Sequence, residues 1–146
     1  MERRIFIKKC CQVGIGLPLA ASLLQSCGAL YYATTTQDAG KTIVAKSEFW
    51  EVRKNKKVRR PFVLITVEGL AFPICIYETQ EDNYVASLLK CTHRGCELNV
   101  GGGIYSCPCH GSEFSASGGL LQGPAERDLK TFKTETDHEN IYLYIS

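Results

Sequence analysis

Cys91-Thr92-His93-Arg94-Gly95-Cys96 and, after ten intervening residues, Cys107-Pro108-Cys109-His110-Gly111-Ser112 are the stretches on which the reading of this chain turns. Each short loop brings a thiol and an imidazole close to one point. Thiolates suit iron–sulfur clusters, zinc and Cu(I), while imidazole suits zinc, copper and iron, so two Cys with two His leave zinc or an iron–sulfur centre. A tetrahedral zinc site needs only four ligands and leaves the other two Cys of these loops without a use, which weighs against zinc. Gly95, Gly111 and Pro108 favour tight turns in which backbone N–H groups approach sulfur, where donors stabilise a reduced cluster.

Such loops need a rigid frame, and the flanking sequence supplies strands. Thr42 to Glu51, Phe62 to Glu68, Phe72 to Glu78, Asn83 to Lys90, Ile104 to Ser106, Leu129 to Thr134 and Ile141 to Ile145 are short runs rich in β-branched and aromatic residues. Turn-type residues separate many of them. No stretch past residue 42 keeps a clean helical period, and no internal repeat is visible. An antiparallel all-β domain is predicted. Within it the basic run Arg53 to Arg60 reads as a solvated hairpin tip, with contact to anionic headgroups or a partner as the sharper alternative. Trp50 is expected in the core, Cys75 as a buried free thiol, and His138 as an exposed turn residue.

CTHRGC followed by CPCHGSEF, with Gly123-Pro124-Ala125 beyond, resembles the two-box motif of the Rieske iron–sulfur family over roughly residues 42–146. The resemblance implies one 2Fe–2S cluster and a Rieske-type antiparallel β-sandwich or barrel. It also implies a small two-loop cluster-binding subdomain at about residues 90–125. Carried over by position, Cys91 and Cys107 would bind one iron, and His93 and His110 the outer iron. Cys96 and Cys109 would form a disulfide tying the loops, a bridge that the low-potential ferredoxins of ring-hydroxylating oxygenases lack, so the high-potential branch is implied. Ser112 stands where the family places a hydroxyl donor to a bridging sulfide.

Three positions depart from that pattern. Phe114 replaces a Tyr that in many high-potential members donates to a cysteine sulfur; lacking a donor, it implies a lower potential, suited to a quinone such as menaquinone. Arg94 replaces a common Leu, and an Arg is costly to bury against an apolar quinone pocket. The loop Gly123-Pro124-Ala125-Glu126 lacks a second Pro found in many relatives.

One-electron transfer without a catalytic residue of the chain's own is the function implied. Two thiolates, two neutral imidazoles and an oxidised cluster core sum to about zero charge, against about −2 for four thiolates, which makes an added electron easier to accept. The second nitrogen of each imidazole can hold or release a proton, as quinol oxidation requires. The implied setting is a quinol-oxidising, cytochrome bc-type complex with a cytochrome-like acceptor. The alternative is a carrier subunit of another periplasmic oxidoreductase of arsenite-oxidase-like type. A zinc-stabilised interaction lipoprotein is the remote alternative from another class.

Of the 146 residues, about 120 remain beyond an expected export segment, the size of one ordinary domain, and the composition, 45% hydrophobic and 22% charged, is that of a globular protein. Basic Met1 to Lys9 runs into the uncharged apolar stretch Cys10 to Leu24, the layout of a signal sequence, too short for a typical membrane span of about 20 residues. Arg3 to Lys8 resembles a twin-arginine export signal, and Leu24-Gln25-Ser26-Cys27 a bacterial lipobox with Cys27 as the lipidated residue. Residues 1–26 are therefore expected to be a twin-arginine-like lipoprotein signal or a retained anchor, residues 27–41 a tether, and residues 42–146 the domain, placed on an extracytoplasmic membrane face. Residues 61–146 hold eleven acidic against five basic groups, a poor match for a nucleic-acid backbone.

Overall fold

In the computed structural model, residues 29–145 are described. Their elements are β1 (Thr35–Asp38), β2 (Lys41–Ala45), a 3-10 turn (Lys46–Phe49), β3 (Trp50–Arg53), β4 (Lys56–Arg59), β5 (Phe62–Ile65), β6 (Ile74–Gln80) and β7 (Asn83–Leu88). They continue with β8 (Asn99–Gly101), β9 (Ile104–Ser106), β10 (Glu113–Ser115), β11 (Leu120–Gln122), β12 (Thr131–Thr136) and β13 (Asn140–Tyr144). The protein is all-β and its named strands pair antiparallel, as expected from the sequence.

A seven-stranded sheet runs β1-β2-β13-β12-β7-β6-β5, and a four-stranded sheet β11-β10-β9-β8 carries the two Cys/His loops. Alternation along β2 and β13 sends Val44, Ile141 and Leu143 into a core with Val63, Ile65, Ile74, Ile76 and Phe132. Each fully buried aliphatic side chain contributes about 1.5–3 kcal/mol. A second apolar cluster, with Leu64, Cys75 and Tyr77 from the large sheet, Tyr105 and Phe114 from the small one and Leu89, Leu98 and Leu129 from the segments between them, joins the two. Cys75 is a buried free thiol, as expected.

The cluster-bearing sequence is an insertion between neighbouring strands. Thr131 of β12 lies opposite Ser87 of β7, and the Leu88 N–H donates to the Lys130 carbonyl at 2.9 Å. Everything from residue 89 to 129 leaves and returns across that one ladder position. Gly102 and Gly103, both at positive φ, close the β8–β9 hairpin inside it, a two-residue turn that L side chains resist.

The structure departs from the sequence expectations in four places. The stretch expected as a tether carries β1, which pairs with β2; Ala33 is buried, and its N–H donates to the Leu64 carbonyl at 2.7 Å. Tyr31 also packs on the core, so residues 31–38 belong to the folded body. Second, the run Thr42 to Glu51 is broken by the 3-10 turn, which sends Phe49 into the core and β3 away from the large sheet. Third, Trp50 consequently lies 37% exposed, with Lys57 and Arg59 across its ring, and is not a core residue. Fourth, the short strands β8, β10 and β11 lie in stretches that carried no strand signal. The basic run lies on an exposed hairpin, as expected, but only Lys54-Asn55 is its tip: Lys56–Arg59 of the run form β4 and pair with β3; His138 is exposed. The signal region and Cys27 lie outside the described residues. Among the described residues, no helix is long and apolar enough to cross a membrane.

Candidate metal centre

The two loops are built on one plan. In the first, the Cys91 N–H donates to the Cys96 carbonyl at 2.8 Å and the Gly95 N–H to the Cys91 carbonyl at 2.9 Å. In the second, the Cys107 N–H donates to the Ser112 carbonyl at 2.8 Å and the Gly111 N–H to the Cys107 carbonyl at 3.0 Å. Each turn ends on a glycine at φ of 79°, four residues after its first Cys. At Gly95 the positive φ alone disfavours a side chain, since the contact a Cβ would make, with the Lys90 side chain at 3.2 Å, is to a flexible end that can move aside. Cys91 and Cys107 thus stand at equivalent corners, buried in the second apolar cluster.

Cys96 and Cys109 are joined by a disulfide that ties the loops across 6.5 Å between Cα atoms. Both of its sulfurs lie within 4.8 Å of the Cys107 sulfur. The imidazoles of His93 and His110 meet edge to face with centroids 4.9 Å apart. His110 is exposed and His93 half-buried. The His93 Nδ1 is buried and has no hydrogen-bond partner among the described residues.

Burial pushes the Cys107 thiol up, but it is outweighed by hydrogen bonds from the Cys109 N–H, the Cys91 thiol and the His110 N–H, which together hold the thiol below its usual value. Donors to sulfur favour the thiolate, the form that binds metal. Ser112 is fully buried; its Oγ accepts the Ala125 N–H at 2.9 Å, leaving the hydroxyl proton to be donated. Phe114 is fully buried in the same cluster and adds no donor.

A third segment closes the site. The Thr92 hydroxyl donates to the Arg127 carbonyl at 2.7 Å, and the Gln122 amide to the Gly111 carbonyl at 3.2 Å. Sequence reasoning missed Thr92 and Gln122: single hydrogen bonds to a distant backbone leave no signal in a single sequence. Beside His93 opens a cavity of about 610 Å³, lined by Arg94, Arg127 and Asp128 among others. Arg94 is exposed there.

A family model for the Rieske [2Fe-2S] domain matches residues 48–133. The chain belongs to the Rieske family. Among solved structures, the cyanobacterial plasma membrane Rieske protein PetC3 from Synechocystis PCC 6803 is 34% identical with a TM-score of 0.50, over 57% of this chain and 85% of that one. The complex of reduced oxygenase and oxidized ferredoxin in carbazole 1,9a-dioxygenase is 23% identical at a TM-score of 0.46, over 57% of this chain and 79% of that one. Dicamba monooxygenase is 22% identical at a TM-score of 0.43, over 57% of this chain and 29% of that one. No curated protein sequence matches the chain.

A Rieske domain binds a 2Fe–2S cluster, which supplies a one-electron couple and makes the protein an electron carrier. The residues present fit that group. Two free thiols share a buried corner, two imidazoles stand side by side at its mouth, and the buried His93 Nδ1 has no partner. An unsatisfied buried nitrogen costs about 1–3 kcal/mol, a cost that coordination would remove.

Proposed function

We propose that this protein carries single electrons at an extracytoplasmic membrane face, as the iron–sulfur subunit of a quinol-oxidising, cytochrome bc-type complex. Cys91 and Cys107 hold the inner iron of the cluster, and His93 and His110 the outer one. The observation that carries this reading is the disulfide-joined loop pair that presents His93 and exposed His110 together. Such a tip exchanges electrons with a docked partner over a short distance, and the ring nitrogen away from iron can hold the proton that leaves a quinol. The Cys96–Cys109 bridge and the Ser112 hydroxyl suit the high-potential branch, while Phe114 suits its lower end. The relative at 34% identity is described as a plasma membrane protein, in keeping with residues 1–26 as a twin-arginine-like lipoprotein signal with Cys27 lipidated, or as a retained anchor.

Arg94 favours a second reading. An exposed guanidinium beside the His tip suits an acidic protein partner better than an apolar quinone pocket, as in a carrier subunit of arsenite-oxidase-like type.

The test is an EPR spectrum of the dithionite-reduced full chain in detergent, with iron, zinc and sulfide analysis, followed by addition of a reduced menaquinone analogue to membranes holding the oxidised protein. A rhombic signal of His-ligated type with about two irons per chain is expected, and quinol-driven reduction in the membranes. Zinc without that signal overturns the ligand assignment; a cluster that quinol leaves oxidised favours the second reading.

A further inference from the structure

Among the described residues, the β3–β4 ribbon pairs with no other strand. Its register puts Trp50 opposite Arg59 and Val52 opposite Lys57, so these four side chains share one face, with Val58 and Lys56 on the other. The Lys57 Nζ lies 4.7 Å from the Trp50 ring centroid and the Arg59 guanidinium 5.1 Å, so the cations stack on the indole. Val52 is 75% exposed. Of the six large apolar side chains exposed among the described residues, Leu30, Tyr32, Trp50, Val52 and Val58 lie between positions 30 and 58; only Leu121 lies elsewhere.

Charge is concentrated on the same ribbon. Glu51 pairs with Arg53 and Arg60, and Glu78 with Arg59. Lys54 and Lys56 have no ion-pair partner among the described residues. A groove of about 400 Å³ beside the ribbon is lined by Ala29 and Leu30 together with Arg53, Val58 and Arg59, so the described chain begins against this hairpin. Five residues separate Leu24, the end of the apolar stretch Cys10 to Leu24, from Leu30. At roughly 3.3 Å per residue, the apolar stretch ends within about 20 Å of the ribbon.

From these observations we infer that the β3–β4 ribbon docks on an anionic phospholipid bilayer, with Trp50 and Val52 at the headgroup level and Lys57 and the tip residue Lys54 on the phosphates. Indole settles at such interfaces because one ring has an apolar body and a polar N–H. Lysines add attraction that depends on anionic lipid and is screened by salt. The consequence is a domain held against the membrane by a second contact near its anchor. The inference rests on the proposed membrane anchoring, and its test separates the two.

Trp50 is the sole tryptophan, so its fluorescence reports on the ribbon alone. The full chain is added to phosphatidylcholine vesicles with and without phosphatidylglycerol; flotation is scored, and Trp50 emission is followed under iodide quenching and with lipid carrying a headgroup-level quencher. With anionic vesicles, the expected result is a blue-shifted emission, shielding from iodide and quenching by the labelled lipid, all reversed by high salt. Lys54→Gln, at the hairpin tip and clear of the Trp50 stack, lowers the docked-to-free ratio roughly fivefold. Flotation with both vesicle types while iodide reaches Trp50 equally in both overturns the docking and leaves the anchor standing. Flotation with neither overturns both. An emission shift that follows protein concentration without vesicles assigns the ribbon to a second copy of the chain and also overturns the inference.

Discussion

The imidazole of His93 stands edge-on to that of His110, at 84° between ring planes and 4.9 Å between centroids, although the two residues come from separate loops. Neither ring belongs to either apolar cluster. His93→Ala and His110→Ala are therefore expected to keep the β fold and to lose the His-ligated EPR signal, with iron falling from about two per chain towards zero. Far-UV circular dichroism beside iron analysis checks this; either variant retaining a full signal refutes the ligand assignment.

The Cys96–Cys109 bridge closes a loop with a sequence separation of 13. By chain entropy, such a crosslink contributes about 3 kcal/mol. Cys96→Ser/Cys109→Ser is expected to lower the urea midpoint by a corresponding amount and to shorten cluster lifetime, because each bridge sulfur sits beside Cys107. An unchanged urea midpoint would show that hydrogen bonds to the third segment already hold the loops.

Phe114 and Ser112 make opposite tests of potential. One hydrogen bond worth about 1 kcal/mol to the reduced form moves a one-electron couple by about 40 mV. Phe114→Tyr is expected to raise the midpoint by that order and Ser112→Ala to lower it. Ser112→Ala also strips the Ala125 N–H of its acceptor and costs about 1 kcal/mol of stability. Redox titration with chemical denaturation reads both. No rise in Phe114→Tyr would refute the assignment of Phe114 as a tuning position.

Cys75 supplies a pH dependence. Burial pushes its thiol up to about 12, with a hydrogen bond from Tyr105 opposing. Between the ordinary thiol value of about 8.5 and that figure, the unfolded chain has released a proton that the folded chain retains, so stability falls as pH rises, by about 1.4 kcal/mol per unit. Cys75→Ala removes this slope from about pH 9 upward. Tyr77, also pushed up to about 12 by burial, adds a similar slope above about pH 10 in both proteins. Denaturation series at several alkaline pH values compare slopes; parallel curves for parent and variant would show that Cys75 carries no such term.

What the sequence discloses depends on how locally each feature is encoded. The two boxes are legible because loop, ligand type and spacing all fall within a few residues. The long strands β6, β7 and β13 are legible because β-branched and aromatic residues crowd them. Four features are not. Strands β8, β10 and β11 hold three residues each, and pairing rather than propensity makes them strands. Residues 31–38 read as small and polar, yet Tyr31 and Ala33 find their place only once the large sheet exists. Trp50 has a core residue's composition and a surface position because the turn before it redirects the chain. Thr92 and Gln122 act through backbone carbonyls 35 and 11 residues away in sequence, distances over which a single chain gives no hint.

Leu88 and Lys130 are bonded partners in the ladder, yet the whole redox apparatus lies between them. The frame can therefore be drawn closed without it, and the inserted segment behaves as a cassette whose two ends meet at adjacent strands. Loop lengths, ligand types and tuning residues can change inside the cassette while the register of the frame stays as it is. The two meet at the apolar joint where Leu64, Cys75 and Tyr77 face Leu89, Tyr105 and Leu129, with the Leu89 N–H donating to the Pro73 carbonyl beside it. Electrochemistry and architecture are in this way free to diverge at separate rates, and one scaffold can serve many partners by exchanging only its cassette.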